Sequence, residues 1–304
     1  MNQDILFIVN PKAGARQRSM EKLIADYFLD HNDNIEIITT THPGHASEVT
    51  SENKSVYKTI VAVGGDGTIN EVASQLIHSD VKMGIVPRGS GNGLSYYLGI
   101  PIKLSQALQL IKEGTSRLID TMTLNERCFV NMAGIGFDAH VAHIFDQFGS
   151  RGFISYITIV IREFLKYSGI SYAVKSNPVL KLEEAFVLSF ANSSQYGNNA
   201  HIAPFALIDD GLIDICKVAK FPNTAVPEIV LKLFGRKIHL SKYYSYHQLN
   251  EFNIHSENDM AAHIDGDPIW VGKQIEVKIL PKSLEVIVPK KIDRLPDRRF
   301  IEKN

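Results

Sequence analysis

The sequence predicts a chain in two parts: a doubly wound α/β half followed by an antiparallel β-sandwich half. Three observations lead there. Apolar strand-like runs alternate with helix-like segments over the first 120 residues, strand-like runs joined by short turns dominate after Leu118, and polar glycine-containing turns follow three of the early strands. Alternation of the first kind builds a parallel sheet covered by helices, whereas successive strands with short connections pair antiparallel.

In chain order, Ile5-Leu6-Phe7-Ile8-Val9 is a continuous apolar run, as expected of a buried parallel strand. Met20, Leu23, Ile24, Tyr27 and Phe28 recur at three- and four-residue spacing, the stripe of an amphipathic helix. Ile35–Ile38 is strand-like and Ala46–Ser51 a short helix; Thr59–Val63 is a third strand, Ile69–Ile77 a third helix, Met83–Val86 a fourth strand and Leu104–Ile111 another helix. In the second half, residues 117–133, 171–176, 182–191, 211–219, 249–256, 260–265, 273–280 and 284–288 read as strands, with helices near 139–148, 152–167 and 224–235. The expected division is 1–120 and 121–304, the second part ending in a basic tail over 289–304.

With 304 residues, 44% hydrophobic and 21% charged, the composition is that of a soluble globular protein with a sizeable core. A formal net charge of -1 gives no argument for a nucleic-acid partner. Cys128 and Cys216 are too few for a disulfide framework and lack metal-ligand spacing, which fits a reducing compartment. No secretory leader is read at the N-terminus, and no run reaches the roughly 18 apolar residues that span a bilayer. The expected location is therefore the cytoplasm. The basic tail reads either as a touchpoint for a membrane surface or as a solvated end.

Gly64-Gly65-Asp66-Gly67-Thr68-Ile69-Asn70-Glu71 lies directly after a buried strand and before a helix. Glycines there let the backbone approach a ligand and take positive φ, so that N–H groups face phosphate oxygens, and the helix adds its positive end. An ordinary strand-to-helix turn needs one glycine rather than three around an aspartate. Asn10-Pro11-Lys12-Ala13-Gly14 follows the first strand and Pro87-Arg88-Gly89-Ser90-Gly91-Asn92-Gly93 the fourth. In a doubly wound sheet all three would meet beyond the carboxyl ends of the strands, where ligands bind. No Walker-type or G-x-G-x-x-G motif occurs in these loops. Gly134-Ile135-Gly136-Phe137-Asp138-Ala139 matches the loose dinucleotide pattern but lies outside the α/β half. His140 and His143 lack further ligands for zinc. The apolar stretch Phe153–Tyr167 reads as a buried helix or as the wall of a lipid pocket.

These loops, in this order, resemble the diacylglycerol kinase catalytic-domain family, which includes bacterial lipid kinases and sphingosine kinases. The resemblance continues through Thr40 ahead of Gly44-His45-Ala46, Asn131-x-x-Gly134-x-Gly136-Phe137-Asp138, Asn192 with Tyr196-Gly197, Ala203-Pro204, Asp209-Asp210-Gly211-Leu212 and Asp265-Gly266-Asp267-Pro268. Gly-Gly-Asp-Gly-Thr alone also occurs in NAD kinases and phosphofructokinases; the series is more specific. The resemblance implies two lobes with the active site between them, and transfer of a phosphoryl group from ATP to a lipid hydroxyl with Mg2+. It implies nucleotide contacts at Asn10, Pro11, Lys12, Ala13, Gly14, Thr40, Gly64, Gly65, Asp66, Gly67, Thr68, Ile69, Asn70, Glu71 and Ser90. A magnesium site is implied at Asp210, assisted by main-chain oxygens of Leu207 and Leu212; the residues alone read equally well as a β-turn.

In bacterial members the general base is the acid of an Asp-Gly-Glu triplet. The triplet here is Asp265-Gly266-Asp267, so the resemblance assigns the base to Asp267, with Asp66 the alternative that sphingosine kinases imply; a hairpin turn is the plain reading of Asp265-Gly266. Many bacterial members have aspartate where this chain has Gly93. Diacylglycerol and a sphingoid base or ceramide are both open as acceptor. The runner-up functions are an NAD kinase-like enzyme for a soluble acceptor and a nucleotide-binding regulator without catalysis. The implied partners are a lipid with a free hydroxyl and transient contact with a membrane surface; oligomeric state stays open, a homodimer included.

Overall fold

Strand β1 (Asp4–Val9) buries Ile5 through Val9 almost completely, because it has a parallel neighbour on each side: β2 (Asn34–Thr39) and β3 (Thr59–Gly64). In this computed structural model, residues 4–14, 19–29, 33–147, 153–164, 166–167, 169–175 and 184–290 are described. β4 (Lys82–Pro87) pairs parallel to β3. The connections form helices α1 (Met20–Phe28), α2 (His45–Asn53), α3 (Asp66–Leu76), α4 (Gly93–Tyr97) and α5 (Leu104–Glu113). Ser19 starts α1 by accepting the Lys22 N–H on its side chain at 3.1 Å. Ile5, Phe7, Val9, Val61, Val63 and Val86 share one cluster with Ile24 and Phe28 of α1 and Leu108 and Ile111 of α5. Alternate strand residues face the other way, and α3, packed on β3 and β4, buries Ile69, Val72 and Leu76.

The following strands are β5 (Thr115–Leu124), β6 (Arg127–Phe129), β7 (Met132–Gly136), β8 (Ile170–Ser171), β9 (Ala173–Lys175), β10 (Glu184–Ala185), β11 (Val187–Ala191), β12 (Ile213–Val218), β13 (Tyr244–Leu249), β14 (Glu251–His255), β15 (Met260–Ile264), β16 (Asp267–Val271) and β17 (Gln274–Val288). The helices are α6 (Phe137–Gln147), α7 (Phe153–Phe164) and α8 (Val226–Phe234). One antiparallel sheet has the order β13-β12-β11-β7-β15-β16. A second antiparallel set joins β9, β14 and the first part of β17. Ile135, Leu188, Phe190 and Ile215 of one layer share a core with Phe252, Ile254, Ile275 and Val277 of the other, a β-sandwich.

The chain divides into two compact units, one holding the residues up to Asp120 with a return segment from Lys282, the other Thr121–Pro281. That return differs from the expectation that 121–304 is one part. The two strands read at 273–280 and 284–288 are the single strand β17, interrupted in pattern by Pro281 and by Lys282 at φ 48°. Beyond that point Leu284, Val286 and Val288 are buried, and Val286 pairs parallel with Met83 of β4. The long strand expected at 117–133 is three strands, and the one expected at 182–191 is two. β13 was not expected: its six residues are all half-buried and mostly polar, so they show no clean alternation. The basic tail lies, beyond Lys290, outside the described residues.

Candidate active site

Each loop after β1, β3 and β4 is held by the next. The Asn10 N–H donates to the Val63 carbonyl at 2.9 Å, and its side-chain Nδ2 donates to Thr68 Oγ1 at 2.9 Å. Asn10 Oδ1 accepts the Lys12 N–H at 2.9 Å, a turn that leaves Pro11, Lys12 and Gly14 exposed and Ala13 half-buried. Asp66 is the first residue of α3, and its carboxylate takes the Asn92 N–H at 2.9 Å and the Gly93 N–H at 3.2 Å, the amides that open α4. Asn92, at φ 51°, closes its own loop by bonding both the N–H and the carbonyl of Gly89. Exposed Ser90 lies in that turn.

Positive φ is not what the glycine loop needs glycine for: none of Gly64, Gly65 and Gly67 has it. The reason is contact. A Cβ on Gly65 would sit 3.1 Å from the Gly89 Cα, and one on Gly89 would sit 2.7 Å from the Gly65 Cα. Two main chains touch there, so neither position has room for a side chain.

Two expected contacts face elsewhere. Ile69 is 1% exposed and points into the core, and the Glu71 carboxylate accepts the Gly44 and Ala46 N–H groups at 3.0 and 3.1 Å, capping α2. Neither offers a side chain to a ligand. Thr68 is buried against Asn10, Asn70 is half-buried, and Thr40 is held by its N–H on the Val9 carbonyl at 2.8 Å. Arg88, which sequence reasoning passed over, lies against Gly14. A Cβ there would come within 3.0 Å of its Nη2, and its buried Nε has no hydrogen-bond partner among the described residues.

In the second unit, Asp265 and Gly266 are the two residues of the β15–β16 hairpin, both at positive φ, with Ile264 opposite Asp267. The plain turn reading therefore holds for Asp265, with an addition no pattern announced. The residue is 8% exposed, and its carboxylate accepts three consecutive N–H groups, from Val130 at 3.0 Å, Asn131 at 2.9 Å and Met132 at 2.8 Å. Asp267, the first residue of β16, is exposed.

A second polar group crosses the same sheet. Ser189, Gly134 and His263 are in register on β11, β7 and β15. Over Gly134 lies Asp138, whose Oδ2 takes hydrogen bonds from Ser189 and Tyr196 and meets His263 Nε2 at 3.2 Å. A Cβ on Gly134 would fall 2.7 Å from that oxygen, so this glycine is dictated by contact as well.

Asp210 Oδ1 accepts the Leu212 N–H at 3.0 Å across Gly211 at φ 75°. Near it, fully buried Asp214 has its pKa pushed up to about 8 by burial, with a further rise from the charge on Asp210. One Asp214 oxygen accepts from Tyr246 and Gln248; the other has no partner among the described residues. Among those residues no three His, Cys, Asp or Glu side chains gather as a metal cluster, so a cation at Asp210 would depend on main-chain oxygens, such as those of Leu207 and Leu212, and on water. Phe164 at the end of α7, with Tyr167, Phe186 and Phe221, lines a cavity of about 220 Å³ edged by Lys166 and Lys220. No helix among the described residues is long and apolar enough to cross a membrane.

Family models match both units. One, described as diacylglycerol kinase catalytic domain, covers residues 4–124; the other, described as YegS C-terminal NAD kinase beta sandwich-like domain, covers 131–288. The protein named "Probable lipid kinase YegS" of Escherichia fergusonii is 27% identical, over 93% of this chain and 95% of its own length. "Probable lipid kinase YegS-like" of Serratia proteamaculans is 26% identical, over 93% of each. A solved structure described as a diacylglycerol kinase from Bacillus anthracis str. Sterne superposes with a TM-score of 0.73 at 20% identity, over 95% of this chain and 97% of that one. At that identity the likeness is one of fold: an α/β sheet with parallel strands and an antiparallel sandwich.

Proposed function

Because the chain belongs to the diacylglycerol kinase catalytic-domain family, we propose that it transfers the γ-phosphoryl group of ATP to a lipid hydroxyl, with diacylglycerol or a sphingoid-type lipid as acceptor. One observation carries the reading. The loops after β1, β3 and β4 are bonded to one another through Asn10, Thr68, Asp66 and Asn92, at the carboxyl edge of a parallel sheet. The N-terminus of the eleven-residue α3 opens at that edge and favours negative charge.

Phosphoryl transfer asks a protein for positioning and charge neutralisation more than for covalent chemistry. Main-chain groups of Asn10–Gly14 and Gly64–Thr68 would cradle the phosphates, with Lys12 and Arg88, whose Nε has no partner among the described residues, supplying positive charge. Asp66 is occupied by two amides, which makes it the residue that keeps the glycine loop and the Ser90 turn in register. Asp267, an exposed carboxylate, is assigned the acceptor's proton; Asp265, filled by three N–H groups, is the strut that holds its hairpin. The donor set at Asp210, beside the Asp214 carboxylate oxygen that has no partner among the described residues, fits Mg2+. Bound there, Mg2+ would offset charge developing on the transferring phosphoryl group.

Incubation with γ-labelled ATP, Mg2+ and a total lipid extract, beside an NAD control, tests the proposal. The label should enter the lipid phase. Label in NAD would make this an enzyme for a soluble acceptor, and label in neither would leave a nucleotide-binding regulator.

A further inference from the structure

Helix α8 is apolar on two faces. Ile229 and Leu233 pack into a cluster with Ile202, Ala203, Cys216 and Val218, which accounts for one of them. Pro227, Val230, Leu231 and Phe234 stand at the i, i+3, i+4, i+7 spacing of a second stripe. That stripe faces out: Val230 is 44% exposed, Leu231 74% and Phe234 38%. The turn after the helix adds Leu240 at 60%, held against α8 by the Lys232 ammonium, which donates to the Leu240 carbonyl at 2.9 Å. Large apolar side chains scattered singly on a surface need no explanation, but four together on one helix and its adjoining turn mark an interaction site.

The charges around the stripe have one sign. From Ala225 to Lys242 the chain carries Lys232, Arg236, Lys237 and Lys242 against one acid, Glu228, in a molecule whose net charge is -1. Glu228 is already paired with Lys232 at 2.6 Å. Arg236, Lys237 and Lys242 are exposed beside the apolar residues. Burial lowers the pKa of His239.

We infer that α8 and the turn to Lys242 form a membrane-docking surface for a bilayer containing anionic lipid. An amphipathic helix ringed by lysine and arginine lies in the headgroup plane with its apolar stripe among the acyl chains. A second copy of this chain fits less well. A two-fold contact places the same patch against itself, which would bring Lys237 and Lys242 of both copies together. The inference rests on the lipid-kinase reading, which puts the acceptor in a bilayer, and it places the membrane contact here rather than in the basic tail.

Co-sedimentation with vesicles of phosphatidylcholine and phosphatidylglycerol, against vesicles of phosphatidylcholine alone, reads the surface without any turnover. Wild type should sediment with the anionic vesicles and be released by salt. Leu231→Glu should lower the partition coefficient at least tenfold. Lys237→Glu with Lys242→Glu should lower it on anionic vesicles alone, by about fivefold per charge removed. All three positions named are exposed, so unchanged thermal melting checks the fold of each variant. Turnover of a short-chain, water-soluble diacylglycerol without vesicles tests the kinase reading separately, and these variants should keep it. Absence of vesicle binding, or binding that both variants retain, would overturn the inference. So would a wild-type dimer that Leu231→Glu converts to monomer, since the stripe would then be a contact between copies.

Discussion

Replacing Asp265 by alanine tests whether the Asp265-Gly266-Asp267 hairpin divides its two acids into a strut and a base. The Asp265 carboxylate is the acceptor for three N–H groups between 2.8 and 3.0 Å, and the residue is 8% exposed. A buried N–H stripped of its partner costs about 1–3 kcal/mol. Three adjacent donors share relaxation and entering water, so about 3–5 kcal/mol is expected for the set, the range for breaking a buried charged network. That is a large part of a stability of about 5–15 kcal/mol and corresponds to a fall of roughly 10 °C in melting temperature. Asp265→Asn should lose about half as much, because one oxygen accepts from both Asn131 and Met132 and an amide keeps that oxygen. The single tryptophan, Trp270, lies on β16, so urea unfolding followed by its fluorescence reports on this hairpin. Exposed Asp267→Asn should stay within about 0.5 kcal/mol of wild type in the same assay, yet lose at least about 100-fold in turnover. Asp265→Ala within about 1 kcal/mol of wild type would refute the strut; normal turnover in folded Asp267→Asn would refute the base.

Other outcomes follow from the remaining contacts. Asp66→Asn should lose about 100-fold in turnover by letting the glycine loop and the Ser90 turn shift out of register, and wild-type turnover in a folded protein would remove Asp66 from the site. Asp210→Ala should raise the magnesium concentration needed for half-maximal activity; no change would leave Asp210 a turn residue. His201, 1% exposed, accepts from Arg236 Nε at 3.0 Å, and burial with the Arg236 charge lowers its pKa from 6.5 to about 4. A depressed folded pKa means the unfolded chain binds the proton first, so the His201 contribution is complete above about pH 6.5 and is lost as pH falls toward 4. Urea midpoints between pH 7 and 4.5 should fall less steeply in His201→Gln than in wild type; parallel curves would exclude His201 as the titrating group.

Much of the first unit was legible because its signals are local. A buried parallel strand is an unbroken apolar run, and a loop at its carboxyl end shows as Gly, Asn and Asp between run and helix. The roles inside those loops were not legible. Glu71 follows the glycine loop by one turn, but its partners Gly44 and Ala46 lie on a different connection. Gly65 and Gly89 lack side chains because of each other, and a pairing across loops leaves no trace in either one. In the first unit, Arg88 was missed because a lone arginine in a turn looks solvated; in the second, β13 was missed because half-buried polar residues at a sheet edge carry no period.

By itself, then, the sequence determined the alternation of strands and helices in the first unit, the change from α/β to β-sandwich near residue 120, and where glycine-containing loops follow the strands, since periodicity and turn residues act over a few neighbours. Only the tertiary structure decided that β17 returns to pair with β4, that Asp265 is filled while Asp267 is exposed, and that one apolar stripe of α8 is buried and the other is not. Each of these depends on a partner far along the chain. A hydrogen bond from Asn131 to Asp265, or a cluster that covers Ile229 and stops short of Leu231, exists only when distant segments share the same few ångströms.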